Sequence, residues 1–226
     1  MRRHLTWDGC SNVRDLGGLG RIRHGALVRA DALQQLSAEG WRALERHGIR
    51  TIVDLRNPDE IGEDAAPRPP GLTTIRIPLD GMEDTEFWSQ WLERPESGTP
   101  HYYGPWLERF PDRAARTLAA IARAQPGGVA YHCGIGRDRT GLITMLILAA
   151  LEVPVDVAAE DYALSAARVP VLLERLGAAE QVAELDDFYR SLSTTPEAVF
   201  AAVMRTVDPA LYLDPGDLAA LKARAL

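Results

Sequence analysis

The stretch that decides the fold is residues 132–141, which read His132-Cys133-Gly134-Ile135-Gly136-Arg137-Asp138-Arg139-Thr140-Gly141. A short apolar run, 127–131, precedes this stretch, and a longer helix-forming run, 142–151, follows it. The pattern predicts a strand, a tight glycine-rich loop and a helix, in that order. Because such a loop turns backbone N–H groups inward at the N-terminus of a helix, we expect a concave anion-binding site.

The residue types in this loop predict nucleophilic chemistry on a phosphoryl group. A thiol at Cys133 is expected to shift towards the thiolate, its nucleophilic form, in the field of the loop. The planar guanidinium of Arg139, six positions later, can bind two phosphoryl oxygens at once, which an ammonium group cannot. Together they predict hydrolysis of a phosphate monoester through a cysteinyl-phosphate intermediate. A buried structural cysteine in a glycine turn is the simpler alternative, but it leaves the combination of residues unexplained.

The loop also resembles the signature of the protein tyrosine phosphatase superfamily, Cys-x5-Arg followed by Ser or Thr. It is most similar to the bacterial tyrosine/serine, dual-specificity-like branch, whose loop reads His-Cys-x-x-Gly-Lys-Asp-Arg-Thr-Gly. Residues 12–18 (Asn-Val-Arg-Asp-Leu-Gly-Gly), the Asp-Leu-Arg end of 48–56, and Asp161-Tyr162 with Ser165 resemble other segments of that branch. The resemblance therefore spans most of the chain. It departs at Arg137, where the branch usually has lysine, and this leaves the substrate preference open.

Individual roles follow from the loop chemistry and the resemblance. We expect Cys133 to attack phosphorus and Arg139 to bind the equatorial oxygens as charge develops on them. Thr140 is expected to hydrogen-bond the thiolate and His132 to orient the loop. The predicted substrate-binding residues are Gly134, Ile135, Gly136, Arg137 and Thr140.

The general acid is harder to assign from the sequence. Asp138 comes first, because it matches the Lys-Asp-Arg element of the bacterial branch residue for residue, although its cationic neighbours favour the ionised form. Asp80 fits the chain order of relatives that take the acid from a separate loop, and Asp54 at a strand end is third. Arg14, Asp15 and Asp54 are expected either to support the loop from behind or to form ordinary structural ion pairs.

Composition limits the remaining possibilities. The chain has 226 residues, a net charge of −7 and only two cysteines, which suits one domain in a reducing cytoplasm and argues against nucleic acid as a partner. We expect a phosphorylated protein or a phosphoinositide as substrate, no stable membrane insertion, no cofactor and no metal. The sequence does not indicate an oligomeric state.

Other functions compete with the phosphatase interpretation. A phospho-ligand-binding pseudophosphatase would keep the anion cradle, but it would not need both Cys133 and Arg139. Arsenate reduction usually requires partner cysteines, and only Cys10 is available. Residues 46–50 resemble the start of a histidine phosphatase motif, but they lack its proline and lie between a predicted helix and a strand.

The alternation of predicted strands and helices indicates a single α/β domain over residues 1–226. We expect a central, largely parallel sheet of about four or five strands flanked by helices, with the Cys133 loop at the carboxyl ends of the strands. Predicted strands cover 49–55 and 73–79, and predicted helices cover 38–46, 113–124 and 154–168, with further helices after Thr195 and Asp214. Residues 82–110 are rich in aromatic side chains, which predicts either core packing or a helical, lid-like insertion beside the loop.

Overall fold

The computed structural model describes residues 3–92 and 94–226, and in these residues five strands form one sheet beneath a cover of helices. The strands are β1 (Arg14–Asp15), β2 (Leu27–Ala30), β3 (Ile49–Asp54), β4 (Thr73–Arg76) and β5 (Gly128–His132). Their order in the sheet is β1-β2-β5-β3-β4. All neighbours are parallel except β1, which runs antiparallel to β2. The prediction of an α/β fold with a largely parallel sheet is confirmed.

The central position of β5 sets the place of the loop that follows it. His132, the last residue of β5, is paired with Ala30 of β2 on one side and with Asp54 of β3 on the other. Every residue of β5 is buried. The loop therefore leaves the sheet between the carboxyl ends of two neighbouring parallel strands, where open α/β sheets bind their ligands.

Ten α-helices surround the sheet in the described residues. They are α1 (Ala38–Arg46), α2 (Thr85–Trp88), α3 (Tyr103–Arg109), α4 (Pro111–Ala122), α5 (Asp138–Ala150), α6 (Val155–Ala163), α7 (Val169–Arg175), α8 (Glu180–Ser191), α9 (Pro196–Thr206) and α10 (Pro215–Ala225). Single 3-10 turns cover Leu33–Gln35, Pro58–Glu60, Pro100–Tyr102 and Pro209–Leu211.

Most predicted elements are present, with different bounds. The Ser37 side chain accepts a hydrogen bond from the N–H of Gly40 and begins α1 as expected. The helix predicted to reach residue 168 ends at Ala163, and the strand predicted over 73–79 ends at Arg76. The short strands β1 and β2 and the helices α7 and α8 were not predicted, because none of them carries a long periodic apolar pattern.

The helix that follows the loop lies in the main core. Almost all residues of α5 are buried, because it packs on the sheet beneath α4, α6 and α9. A helix that is apolar on every side is buried and is contacted by other elements on every side. The N-terminus of α5, on which the loop rests, is therefore fixed by the core. A second, smaller core on the opposite face of the sheet includes Trp41 and Leu44 of α1.

The aromatic side chains of the 82–110 interval belong to the same main core. This interval contains α2 and α3, and Trp88, Tyr103 and Trp106 are each at most 6 % exposed. Core packing, one of the two alternatives raised by the sequence, therefore accounts for these three side chains.

Within the described residues, no helix is both long enough and apolar enough to cross a membrane.

Candidate active site

The loop between β5 and α5 requires glycine at Gly136. This residue has a φ of +70°, and a Cβ atom there would lie 2.7 Å from the carbonyl oxygen of Ala30. Both the left-handed backbone and the close approach to β2 exclude a larger side chain. Cys133, at the start of the loop, is only 2 % exposed. The nucleophile predicted from the sequence is therefore buried at the start of the loop.

Four successive carbonyl groups of the loop are bound from outside it. Cys133 O accepts from His132 Nδ1 (3.1 Å), Gly134 O from the N–H of Ala32 (2.9 Å), Ile135 O from Asn12 Nδ2 (2.9 Å) and Gly136 O from an Arg29 Nη (2.9 Å). In a trans peptide the N–H points away from the C=O, so the N–H groups of residues 134–137 point the other way. In the described part of the chain, no backbone N–H of residues 134–139 donates to a protein acceptor. The loop is therefore a cradle of free donors suited to an anion.

Arg29, one of the side chains that bind the loop carbonyls, is itself fixed by Asp161. One Nη of Arg29 donates to Asp161 at 3.0 Å, and Arg14 donates to the carboxylate of Asp161, to its carbonyl oxygen and to Ser165. Burial opposes the charge of Asp161, but Arg14, Arg29 and Arg3 outweigh it and lower the pKa of Asp161 to about 2. Asp161 therefore stays ionised and holds the support behind the loop.

His132 contributes to the loop as a neutral imidazole. Burial lowers the pKa of His132 to about 4, so near neutral pH its Nδ1–H can donate to the Cys133 carbonyl while Nε2 carries no proton. Nε2 lies 3.7 Å from Asp54, whose two oxygens accept from Arg56 at 2.9 and 2.7 Å. The predicted orienting role of His132 agrees with this geometry. Because both Asp54 oxygens are engaged, Asp54 is poorly placed to act as an acid.

Arg139 is held by Glu60, a residue that the sequence analysis did not identify. Both terminal nitrogens of Arg139 donate to the Glu60 carboxylate, the contact from Nη2 measuring 2.5 Å, and Nη1 lies 3.1 Å from Asp80. Burial opposes the charge, but Glu60, Cys133 and Asp80 raise the pKa of Arg139 above its ordinary value. A guanidinium has five N–H donors, so the Nε–H and one Nη2–H are left for two phosphoryl oxygens.

Asp80 is fixed next to Arg139 by groups from the aromatic interval. The indole N–H groups of Trp88 and Trp106 donate to the Asp80 carbonyl oxygen at 3.1 and 3.2 Å, and Asn57 Nδ2 donates to one carboxylate oxygen at 2.8 Å. Burial raises the pKa of Asp80, although Arg139 and Asn57 act in the opposite direction. The buried aromatic side chains therefore position a carboxyl group at the site.

Asp138 and Arg137 form an ion pair at the start of α5. Arg137 Nε and Nη2 lie 2.8 and 3.2 Å from the two oxygens of Asp138, and Nη2 also donates to Gly98 O at 3.0 Å. The Tyr103 hydroxyl donates to the Asp138 carbonyl at 2.8 Å, and a Cβ at Gly141 would lie 2.7 Å from that hydroxyl oxygen. Both carboxylate oxygens of Asp138 are thus engaged with Arg137.

The remaining sequence-predicted residues are divided between the site and other regions. Thr140 lies in the first turn of α5 with a buried Oγ1 that makes no hydrogen bond within the described residues, so the expected bond to Cys133 is not present. Arg14 donates to Asn12 Oδ1 and so supports the loop through Asn12, whereas Asp15 binds His47 and the backbone N–H groups of Gly17 and Gly25.

Asn12, Arg29 and Glu60 received no individual role in the sequence analysis. Asn12 belongs to the 12–18 segment that resembles the bacterial branch, and this resemblance is the sequence feature from which Asn12 could have been identified. Arg29 and Glu60 reach the loop from 107 and 79 residues away in the chain, and no local motif marks them.

Comparison with known proteins agrees with this geometry. The sequence profile described as the tyrosine phosphatase family matches residues 5–212, nearly the whole chain. The chain belongs to the tyrosine phosphatase family. This match confirms the resemblance proposed from residues 132–141 and the three further segments.

Individual relatives are similar over most of this chain. It is 31% identical over 69% of its length to a Cupriavidus necator protein whose name assigns it provisionally to the tyrosine-protein phosphatases. It is 32% identical over 62% of its length to a tyrosine-protein phosphatase of Nostoc commune, and 29% identical over 74% to the triple specificity protein phosphatase PtpB of Mycobacterium tuberculosis. These alignments cover 60%, 48% and 71% of the relatives, so the chain spans about half to three fifths of the first two.

The Asp161 network predicts a strong dependence of stability on one carboxylate. In Asp161→Asn, Arg14 and Arg29 stay buried without their counter-charge, and we expect a loss of about 3–5 kcal/mol in the free energy of unfolding. Because the folded pKa of Asp161 is below its ordinary value of 3.8, its contribution is complete above about pH 4 and is lost as the pH falls towards 2. Urea titrations between pH 3 and pH 7 measure both effects.

The matched control is Glu160→Gln, which removes an exposed carboxylate from the same helix, α6. We expect a change within about 0.5 kcal/mol for this variant. Equal losses in the two variants would contradict a special role for Asp161.

Proposed function

We propose that this protein hydrolyses phosphate monoesters of phosphorylated proteins, with phosphotyrosine as its main substrate, through a cysteinyl-phosphate intermediate. The observation that carries the proposal is the loop itself. Its N–H groups are free, its carbonyls are bound from behind, and it begins with Cys133 and ends with an oriented Arg139. A phosphoryl group satisfies these donors, and its phosphorus then lies within reach of the thiolate.

In the first step, the Cys133 sulfur forms a bond to phosphorus as the bond from phosphorus to the ester oxygen breaks. The equatorial oxygens gain charge in this transition state, and they are stabilised by the loop N–H groups and by the free fork of Arg139. These protein groups already supply the positive field that the step needs, so the mechanism has no step that requires a metal ion.

The leaving oxygen has to be protonated, and Asp80 is the acid that the geometry favours. Its pKa is raised by burial, and Asn57 and Arg139 contact only one of its carboxyl oxygens, so the other oxygen can carry a proton. Asp138, ranked first from the sequence, remains the alternative. In the second step, water attacks the phosphocysteine, gives its proton to the same carboxylate, and releases phosphate and the Cys133 thiolate.

Two observations support phosphotyrosine as the main substrate. Cys133 is 2 % exposed, and a buried nucleophile favours phosphotyrosine because its phosphoryl group lies further from the peptide backbone than that of phosphoserine or phosphothreonine. Two of the three relatives named above carry tyrosine in their names, and the third carries triple specificity. Phosphoserine, phosphothreonine and phosphoinositides are tested as competing substrates in one activity panel.

The nucleophile is tested with Cys133→Ser. A serine hydroxyl stays protonated near neutral pH, whereas the cradle and Arg139 are retained, so we expect turnover to fall by about 10³-fold or more with phosphotyrosine peptide binding preserved. Hydrolysis of para-nitrophenyl phosphate and peptide binding by fluorescence anisotropy provide the two measurements. Turnover at the wild-type rate would exclude the cysteine mechanism.

The two loop arginines are tested against each other. Arg139→Lys keeps the charge but loses the fork and both Glu60 contacts, so we expect kcat/KM to fall by about 10²-fold or more, nearly as far as in Arg139→Ala. Arg137→Lys should lose only a few-fold, because Arg137 is directed to Asp138 and Gly98. Similar losses at the two positions would contradict this division of roles.

The acid is tested with leaving groups of different basicity. In Asp80→Asn we expect a large loss of kcat for phenyl phosphate, whose leaving group is more basic, and a smaller loss for para-nitrophenyl phosphate. We also expect the fall of the rate at high pH, the basic limb of the pH–rate profile, to become flatter. The basic limb arises because Asp80 loses its proton as the pH rises. If Asp138→Asn shows this leaving-group dependence and Asp80→Asn does not, the assignment moves to Asp138.

A further inference from the structure

A surface groove runs beside the catalytic loop and shares residues with it. One wall is the turn after β2, with Gln34 and Gln35, the other is α7, and Gly134 and Ile135 of the loop line the groove between them. We refer to this feature as the loop-side groove. Gly134 directly follows Cys133, and Glu60, which binds Arg139, also lines the groove, so the groove lies directly beside the cradle.

The loop-side groove has one cation that is free to bind a ligand. Arg175, in the last turn of α7, is exposed and forms no ion pair within the described residues. The other lining cation, Arg56, is committed to Asp54. An exposed guanidinium without a partner beside a catalytic loop can accept a carboxylate from outside.

Neither acidic group of the groove forms an ion pair with Arg175 within the described residues. Asp31 is buried, accepts backbone N–H bonds from Ser11 and Asn12 at 3.0 and 2.9 Å, and interacts with Arg175 only at longer range, whereas Glu60 is engaged by Arg139. The N–H donors of Arg175 therefore remain for a ligand.

Apolar side chains lie on either side of Arg175 in the chain. Leu172 and Leu176 line the same wall of the groove, and Leu176 is 66 % exposed. An acidic residue next to an aliphatic one would fill this surface, the carboxylate on Arg175 and the aliphatic part on the leucines. The groove thus has the chemistry of a contact with polypeptide.

We infer that the loop-side groove binds the polypeptide segment adjacent to the phosphorylated residue and that Arg175 selects substrates with acidic flanking residues. This inference rests on the proposed function, since it names the substrate class of the same site. A phosphoinositide fits the groove less well, because its further phosphate groups have no aliphatic part to cover Leu172 and Leu176.

The test compares two phosphotyrosine peptides that differ only in the three residues on each side of the phosphotyrosine, which are glutamates in one and lysines in the other. The quantity measured is the ratio of kcat/KM for the acidic peptide to that for the basic peptide. We expect Arg175→Glu to lower this ratio by about fivefold, the size of one exposed ion pair, and Arg175→Ala to lower it less.

The matched control is Arg205→Glu. Arg205 is also exposed in the last turn of a helix, α9, but it does not line the groove. The control changes the net charge by the same amount, so we expect the ratio to stay at its wild-type value. An unchanged ratio in Arg175→Glu, or an equal drop in Arg205→Glu, overturns the inference.

In the Cys133→Ser background, the ratio of the Kd values of the two peptides is measured instead of the ratio of kcat/KM. This Kd ratio depends on binding alone. Absence of turnover by the wild-type protein would therefore count against the proposed function without deciding the role of the groove. A drop caused by Arg175→Glu for a phosphoinositide headgroup, with no change in the peptide ratio, would assign Arg175 to that ligand and contradict the inference.

Discussion

A loop can present a row of N–H groups to an anion only if its carbonyl oxygens find partners on the other side. In this protein the four partners come from three segments of the chain: Asn12, then Arg29 and Ala32 at the end of β2, and His132. They converge because β5 lies between β2 and β3, and because Asp161 of α6 neutralises the buried arginines behind the loop. The arrangement is held by protein groups alone, and such preorganised donors are the condition for strong electrostatic stabilisation of a transition state.

On the opposite side of the site, protein groups hold Arg139 in place in the same way. Glu60 and Asp80 reach Arg139 from the segments that follow β3 and β4, and two buried indoles hold the backbone of Asp80. The aromatic interval, which the sequence left open between core packing and a helical, lid-like insertion, packs in the core and at the same time positions a carboxyl group. In the proposed mechanism, stability and chemistry therefore depend on the same side chains.

The sequence predicted what is local in the chain and missed what is distant. Residues 132–141 with the apolar runs on either side, 127–131 and 142–151, were sufficient for the strand, loop and helix, because glycine conformation and apolar periodicity act over a few residues. Residues 132–141 together with three further segments were sufficient for the family resemblance. Glu60 could not be found in this way, since its role depends on a contact across 79 residues, and Arg29 depends on one across 107. The two-residue strand β1 is defined only by its pairing with β2, and it leaves no pattern of its own.

The central claim of this account is that Cys133 carries the phosphoryl group between the two steps. Rapid quenching of the protein in acid during turnover of a phosphotyrosine peptide, followed by mass spectrometry of the peptide that contains residues 132–141, tests it most directly. The account predicts one added phosphoryl group on Cys133, present during turnover and gone once the substrate is exhausted. A phosphoryl group on another residue, or efficient turnover with no phosphorylated Cys133 at any quench time, would contradict it.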